Sequence, residues 1–313
     1  MKKSNPLTFT LMLTISSFFF FSCSKEKARL SYELEEGETY LMEMHNEQEI
    51  KQVVLNQTMF VNTEMDIRMK YKVLAKTDST YKITMSYDRL AMQLEMPQGS
   101  SGFDSDNPDT TGVLASVIKS MTLLTITMTV NHQGEILEIQ GLDEMTEKIV
   151  GNMPEGEIPA QSRQMISRYL SEDAVNRNFS MGMIVYPGKS LGEGDNWEQS
   201  MEMASILKGE LTTTYTLEEL KLNEAVIAGE AFFDVEADSA DMMMIGVSMN
   251  YDMEGPVESS YLIDTRTGWL KEGTTNQKLT GNVVMPGNEQ MPEGMNLKME
   301  IVSEITLNGK EIE

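Results

Sequence analysis

The segment "MDIRMKYKV" (residues 65–73) changes polarity at every residue. Met65, Ile67, Met69, Tyr71 and Val73 fall on one side, and Asp66, Arg68, Lys70 and Lys72 on the other. A period of two is the pattern of a strand with one buried and one wet face. "YKITMSYD" (81–88) alternates in the same way, and "LAKTDST" between the two supplies a turn. After Tyr87 the apolar set changes parity to Leu90, Met92, Leu94 and Met96, which predicts a bulge near Asp88–Arg89. Met243, Ile245, Val247, Met249, Tyr251 and Met253 repeat the alternation far downstream. Such a chain folds as antiparallel sheet with one apolar face, and that face has to be covered.

The 28 methionines take their meaning from this pattern. Methionine is flexible and polarizable, so it either fills irregular gaps in a core or lines a surface that adapts to apolar partners. Core filling is the first expectation for methionines on inner strand faces. The second is a hydrophobic cavity, with Met65, Met69, Met243 and Met249 facing the ligand.

Between the alternating runs the texture changes. "PQGSSGFDSDNPDTTG" (97–112) reads as a loop. Residues 113–121 and 142–171 carry helical spacing, as in "SRQMISRYL", where Met165, Ile166, Tyr169 and Leu170 share a face. "TITMTVNHQGEILEI" (125–139) reads as a hairpin turning at His132–Gln133–Gly134. Two motifs recur. "LEEGETY" (34–40) matches "LGEGDNW" (191–197), and "TVNHQGEILEI" (129–139) matches "LIDTRTGWLKE" (262–272). The expected organisation is a first β-rich half over 34–141, a helical connector over 142–180 and a second β-rich half over 181–313. The fold class is mainly β, with two related antiparallel halves forming curved sheets or an open barrel and helices packed on the apolar face.

The only cysteine, Cys23, lies in "FFFFSCSKEK" (18–27). Lys2–Lys3, an apolar stretch from Leu7 to Phe21 and the small residue Ser22 are the parts of a secretory signal peptide over 1–22. The join Phe20-Phe21-Ser22-Cys23 resembles a bacterial lipobox, which implies cleavage before Cys23, lipidation of it, and a tether over 23–33. A thiol consumed by lipid leaves no disulfide and no cysteine metal ligand. Ser24 follows Cys23 where an aspartate would signal inner-membrane retention, and "SKEK" resembles the lysine-plus-acid signals of surface lipoproteins. Those features place the protein at the outer membrane, on the cell surface rather than the periplasmic face.

The motifs "LEEGETY", "YKITMSYDRLAMQLEMP" followed by "FDS" (103–105), "VNHQGEILEIQGLDE" (130–144) and "VYPGKSLGEGDNWE" (185–198) resemble an uncharacterised Bacteroidota-type lipoprotein family with a domain of unknown function. The resemblance spans nearly all of the chain after the signal and brings no known activity or catalytic residues.

Signals of chemistry are sparse. The two histidines, His45 and His132, read as a solvated strand residue and a polar turn residue, and no HExxH, CxxC or GxSxG motif occurs. Gly192 and Gly194 precede a strand, so no helix dipole is there to hold a phosphate. "DSDNPDTTG" offers Asp104, Asp106 and Asp109 as oxygen ligands for calcium, but it lacks the glycine and distal glutamate of an EF-hand and reads as a solvated loop. A net charge of −24 repels nucleic acid and anionic headgroups. No cofactor, metal or catalytic residue is expected. The membrane is a partner through the lipid on Cys23, and an envelope protein or hydrophobic ligand is the other. These features point to a non-catalytic binding or interaction module of the envelope. A carrier of a lipid-like ligand in a Met-rich cavity is the alternative, and a carboxylate-dependent hydrolase the third reading. If Cys23 is the tether, Cys23→Ser leaves an uncleaved or unlipidated form; recovery of the variant in the detergent phase at the processed mass would refute it.

Overall fold

The computed structural model describes residues 27–54, 57–107, 122, 125–142, 147–148, 184–203, 209–237, 250–285, 287 and 294–312. Cys23, Asp109, Met243 and Met249 lie outside them. So do the expected helix at 113–121 and, apart from Leu142, Glu147 and Lys148, the expected helix at 142–171. Helices packed on the apolar face are therefore no part of the described fold.

The chain forms fourteen described strands: β1 (Lys27–Arg29), β2 (Thr39–Val54), β3 (Gln57–Lys76), β4 (Thr80–Met96), β5 (Gly99–Asp104), β6 (Thr125–Asn131), β7 (Ile136–Gln140), β8 (Ser190–Gly192), β9 (Asn196–Met203), β10 (Gly209–Leu220), β11 (Glu224–Ala237), β12 (Asn250–Asp264), β13 (Leu270–Met285) and β14 (Met295–Ile312). Twelve of them make one antiparallel sheet, in the order β7-β6-β4-β3-β2-β14-β13-β12-β11-β10-β9, with β5 also on β4. β1 and β8 pair separately. The sheet is not closed into a barrel: among the described strands β7 and β9 stay at its edges. Part of the expected 97–112 loop is strand instead. Gly99, at positive φ, turns the chain back so that Phe103 pairs opposite Met92. The bulge expected near Asp88 is present, because Arg68 pairs with Arg89 but Met69 with Tyr87, leaving Asp88 extra.

The two matching motifs build the same turn twice. Gly37 and Gly194 both hold positive φ, and their N–H groups donate to Val73 and Leu217 at 2.9 and 2.7 Å. Val73 and Leu217 donate back to the carbonyls of Glu38 and Asp195. The Glu38 carboxylate accepts from the Glu35 N–H, as that of Asp195 does from Gly192. Register slips fall at Val73/Ala75 and Leu217/Glu219, then at Thr129/Val130 and Leu262/Ile263. The meanders β2-β3-β4-β6-β7 and β9-β10-β11-β12-β13 thus run alike, and β14 joins them by pairing with both β2 and β13.

The sheet is strongly curved. Tyr71 on β3 and Tyr215 on β10 are six strands apart, about 29 Å on a flat sheet. Both nevertheless line one narrow cleft with Tyr32 and Trp269. The interior at this end is filled by two crossing segments, Leu30–Leu34 and Ile184–Leu191, whose Leu30, Tyr32, Leu34, Ile184, Tyr186 and Leu191 are buried. Each segment is held by both of two further turns, at His132–Gly134 and at Thr267–Gly268. Tyr32 and Tyr186 donate their N–H groups to the carbonyls of His132 and Gln133, and Glu33 donates to Thr267. The Tyr186 hydroxyl donates to the Gly268 carbonyl at 2.8 Å. Trp269, 5 % exposed, stacks against Tyr40 at 4.5 Å and meets Tyr71 at 5.3 Å.

Gly268 is where this clamp is tightest. Its φ is +68°, and a Cβ there would collide with the Ser31 carbonyl oxygen. Both strain and collision oppose any side chain. Gly268→Ala is expected to destabilise the fold by at least ~2 kcal/mol, read as a lowered urea midpoint.

Candidate functional site

Cross-strand register shows what the curved sheet encloses. One row runs Leu90, Ile67, Met44, Leu307, Gly273, Tyr261, Ile227, Leu217 from β4 to β10. The next inner row runs Met92, Met65, Asn46, Ile305, Thr275, Ser259, Gly229, Tyr215. A third runs Leu94, Thr63, Gln48, Ser303, Gln277, Val257, Ala231, Thr213. No Asp, Glu, Lys, Arg or His occurs in these rows. Val61, Ile50, Ile301 and Leu279 continue them away from the plugged end.

The plugged end leaves little room. Its cleft, lined by Tyr32, Met42, Tyr71, Tyr215, Tyr261 and Trp269 among others, has water-sized rather than ligand-sized space. Burial pushes the phenols of Tyr32, Tyr71 and Tyr215 up, so they stay protonated donors. Farther along, the inner face opens. Met44, Met65, Ile67, Met69, Ile301 and Ile305 are half-buried, while Phe233, Met253 and Leu279 form a second small core. Of the four methionines singled out from sequence, Met65 and Met69 lie on this face, and Met69 also packs against the main core.

The ion pairs of β2 to β5 lie on the other face. Arg68 bridges Glu43 and Asp88 at 3.1 and 3.4 Å, and Lys70 pairs with Asp88. His45 contacts Asp66 at 2.8 Å and Glu47 at 3.1 Å, and these hydrogen bonds, Asp66 first, raise its pKa. Arg89 grips Asp104 with two bonds and lies 3.7 Å from Asp106. Its guanidinium sits beside the two acids considered for calcium and holds the Asp104 carboxyl below its ordinary pKa. Among the described residues no group of three or more His, Cys, Asp or Glu is placed to hold a metal. His132 is less solvated than a turn residue suggests: its ring lies 4.7 Å from Tyr81, and Nδ1 shares a 2.9 Å hydrogen bond with the Tyr81 hydroxyl.

Sequence reading missed the uncharged polar residues of the third row. The signal was present in β2, where Met44, Asn46, Gln48 and Ile50 keep the inner parity but interrupt its apolar run. Their neighbours Ser303 and Gln277 are more than two hundred residues away in the chain, so the row itself could not be read.

Together these features define a curved antiparallel sheet protein with an uncharged interior face and a charged exterior. The chain belongs to a family of unknown function, DUF6263, which matches residues 78–270. No curated protein matches it. Among solved structures, a lipovitellin studied for lipid–protein interactions is similar at 13 % identity and a TM-score of 0.49. That match covers 89 % of this chain and 25 % of the lipovitellin chain, so this protein spans a quarter of its length. An outer membrane channel from Pseudomonas putida F1 is similar at 9 % identity and a TM-score of 0.27, over 89 % of this chain and 97 % of that one.

Proposed function

We propose that the protein is a lipid-anchored, non-catalytic binding module of the cell envelope, and that its ligand is apolar and lies along the inner face of the sheet. The observation that supports this reading is the absence of charge from the inner rows between β4 and β10. A solvated sheet face tolerates charge, whereas a face that receives apolar surface excludes it, because an unpaired buried charge is strongly unfavourable. The half-buried methionines add a surface that adapts to chains of differing shape. A carboxylate-dependent hydrolase fits less well, since the three inner rows between β4 and β10 hold no acid and several outer acids are neutralised by Arg68, Lys70 and Arg89.

The tether belongs to the same reading. Cys23 precedes β1 by four residues. β1 starts at Lys27, which pairs with Asp195 beside the Gly194–Leu217 turn. Lipid on Cys23 would hold the plugged end towards the bilayer and leave the far ends of the long hairpins pointing away. We place the protein at the outer membrane, on the cell surface.

Two measurements test these statements. Saturable binding of an apolar fluorescent probe is expected, and Met65→Asp should weaken it at least about tenfold while leaving the unfolding midpoint near that of the parent protein. Unchanged binding by a folded Met65→Asp protein would remove the inner face as the site. Protease added to intact cells should cut the exposed turn at residues 96–100; protection until lysis would put the protein on the periplasmic side.

A further inference from the structure

We infer that the inner face selects ligands whose polar group is neutral, such as an acyl ester or amide, over free fatty acids and phospholipids. This inference rests on the inner face being the binding site. Its basis is the polar belt midway along that face. Thr63, Gln48, Ser303 and Gln277 are consecutive cross-strand partners on β3, β2, β14 and β13. The next inner row on one side is apolar, Ile50, Ile301 and Leu279; on the other it mixes Met65 and Ile305 with Asn46 and Thr275, and Met44 and Leu307 lie one row beyond.

The belt is built at its centre and open at its flanks. Ser303 is 4 % exposed, and its hydroxyl donates to the Asn46 side-chain oxygen at 2.9 Å. Gln48 and Gln277 stand on either side of it, half-buried. Neither side-chain amide has a hydrogen-bond partner among the described residues. The two are two strands apart, about 10 Å across the sheet. Both amides are half-buried and neither is cut off from solvent without a partner; a purely apolar ligand laid over them would strip their water and leave them unsatisfied, which opposes binding. A ligand that brings both acceptors and donors satisfies them, and esters, amides and hydroxyls do so without charge.

The same rows argue against an anionic head. Among the described residues of this face there is no Lys, Arg or His to pair a carboxylate or phosphate. An ion taken onto such a face stays uncompensated, which disfavours it relative to a neutral group of similar size. The selected class is therefore a neutral lipid with a hydrogen-bonding head.

The test compares three radiolabelled probes on the full chain by equilibrium dialysis at pH 8: monooleoylglycerol, oleate and hexadecane. Monooleoylglycerol is expected to bind at least about tenfold more tightly than oleate. Gln48→Met and Gln277→Met keep side-chain length and remove the amide. Each should weaken monooleoylglycerol about tenfold without weakening hexadecane, with the unfolding midpoint confirming the fold; if one variant does not fold, the other carries the test. Binding of none of the three probes would refute the apolar-ligand reading itself. Oleate binding as tight as monooleoylglycerol, or folded glutamine variants that leave monooleoylglycerol unaffected, would overturn the selectivity while the apolar-ligand reading stands.

Discussion

A sheet this wide with one uncharged face cannot lie flat in water. Its apolar rows must be removed from solvent, and an antiparallel sheet does that by curving or by packing against another layer. Here it curves, and the crossing segments Leu30–Leu34 and Ile184–Leu191 fill the narrow end. Burying a large apolar side chain stabilises by ~1.5–3 kcal/mol, and Tyr32, Leu34, Tyr186 and Leu191 are all almost fully buried. Trp269 ties the two wings together, since it touches Tyr32 from a crossing segment and both Tyr40 and Tyr71 from β2 and β3. The turns at Gly134 and Gly268 let the crossing segments approach closely enough to hydrogen-bond the sheet.

The plug closes one end, and beyond it the described rows of the inner face change in character. Nearest the plug the rows are aromatic and closely packed. Beyond them come half-buried methionines and isoleucines, then the amide and hydroxyl belt, then apolar residues again. On the proposed function, this layering is what a ligand with an apolar chain and a neutral head would meet. The curvature that protects the core also brings the belt residues of four strands onto one concave surface.

The exterior answers a different requirement. Its ion pairs are partly exposed, so each contributes at most about 1 kcal/mol. Their effect is to keep the outer face wet. With a net charge of −24 the surface also repels other copies of the protein. A long sheet with two edges needs that protection, because unpaired edges template aggregation. Arg89 shows how a local motif is reassigned by its surroundings. The acids of "DSDN" look like cation ligands in isolation, but β5 folds back on β4 and places Asp104 against the guanidinium.

The strand character and buried side of β3 and β4, the bulge at Asp88 and the recurrence of the motifs around Gly37 and Gly194 were legible in the sequence. Each depends on residues a few positions apart, where a period of two or a glycine at positive φ leaves a local mark. The membership of the inner rows was not legible. Gln48, Ser303 and Gln277 come together only because β14 pairs with both β2 and β13. The closeness of Tyr71 and Tyr215 depends on curvature, and the partners of His132 depend on where Tyr32 crosses. Backbone hydrogen bonds between strands are chemically alike, so which distant segments pair is decided by the burial of the whole face. The sequence by itself determined the inward side of β3 and β4, because a period of two is local; only the tertiary structure decided which inward residues of distant strands meet.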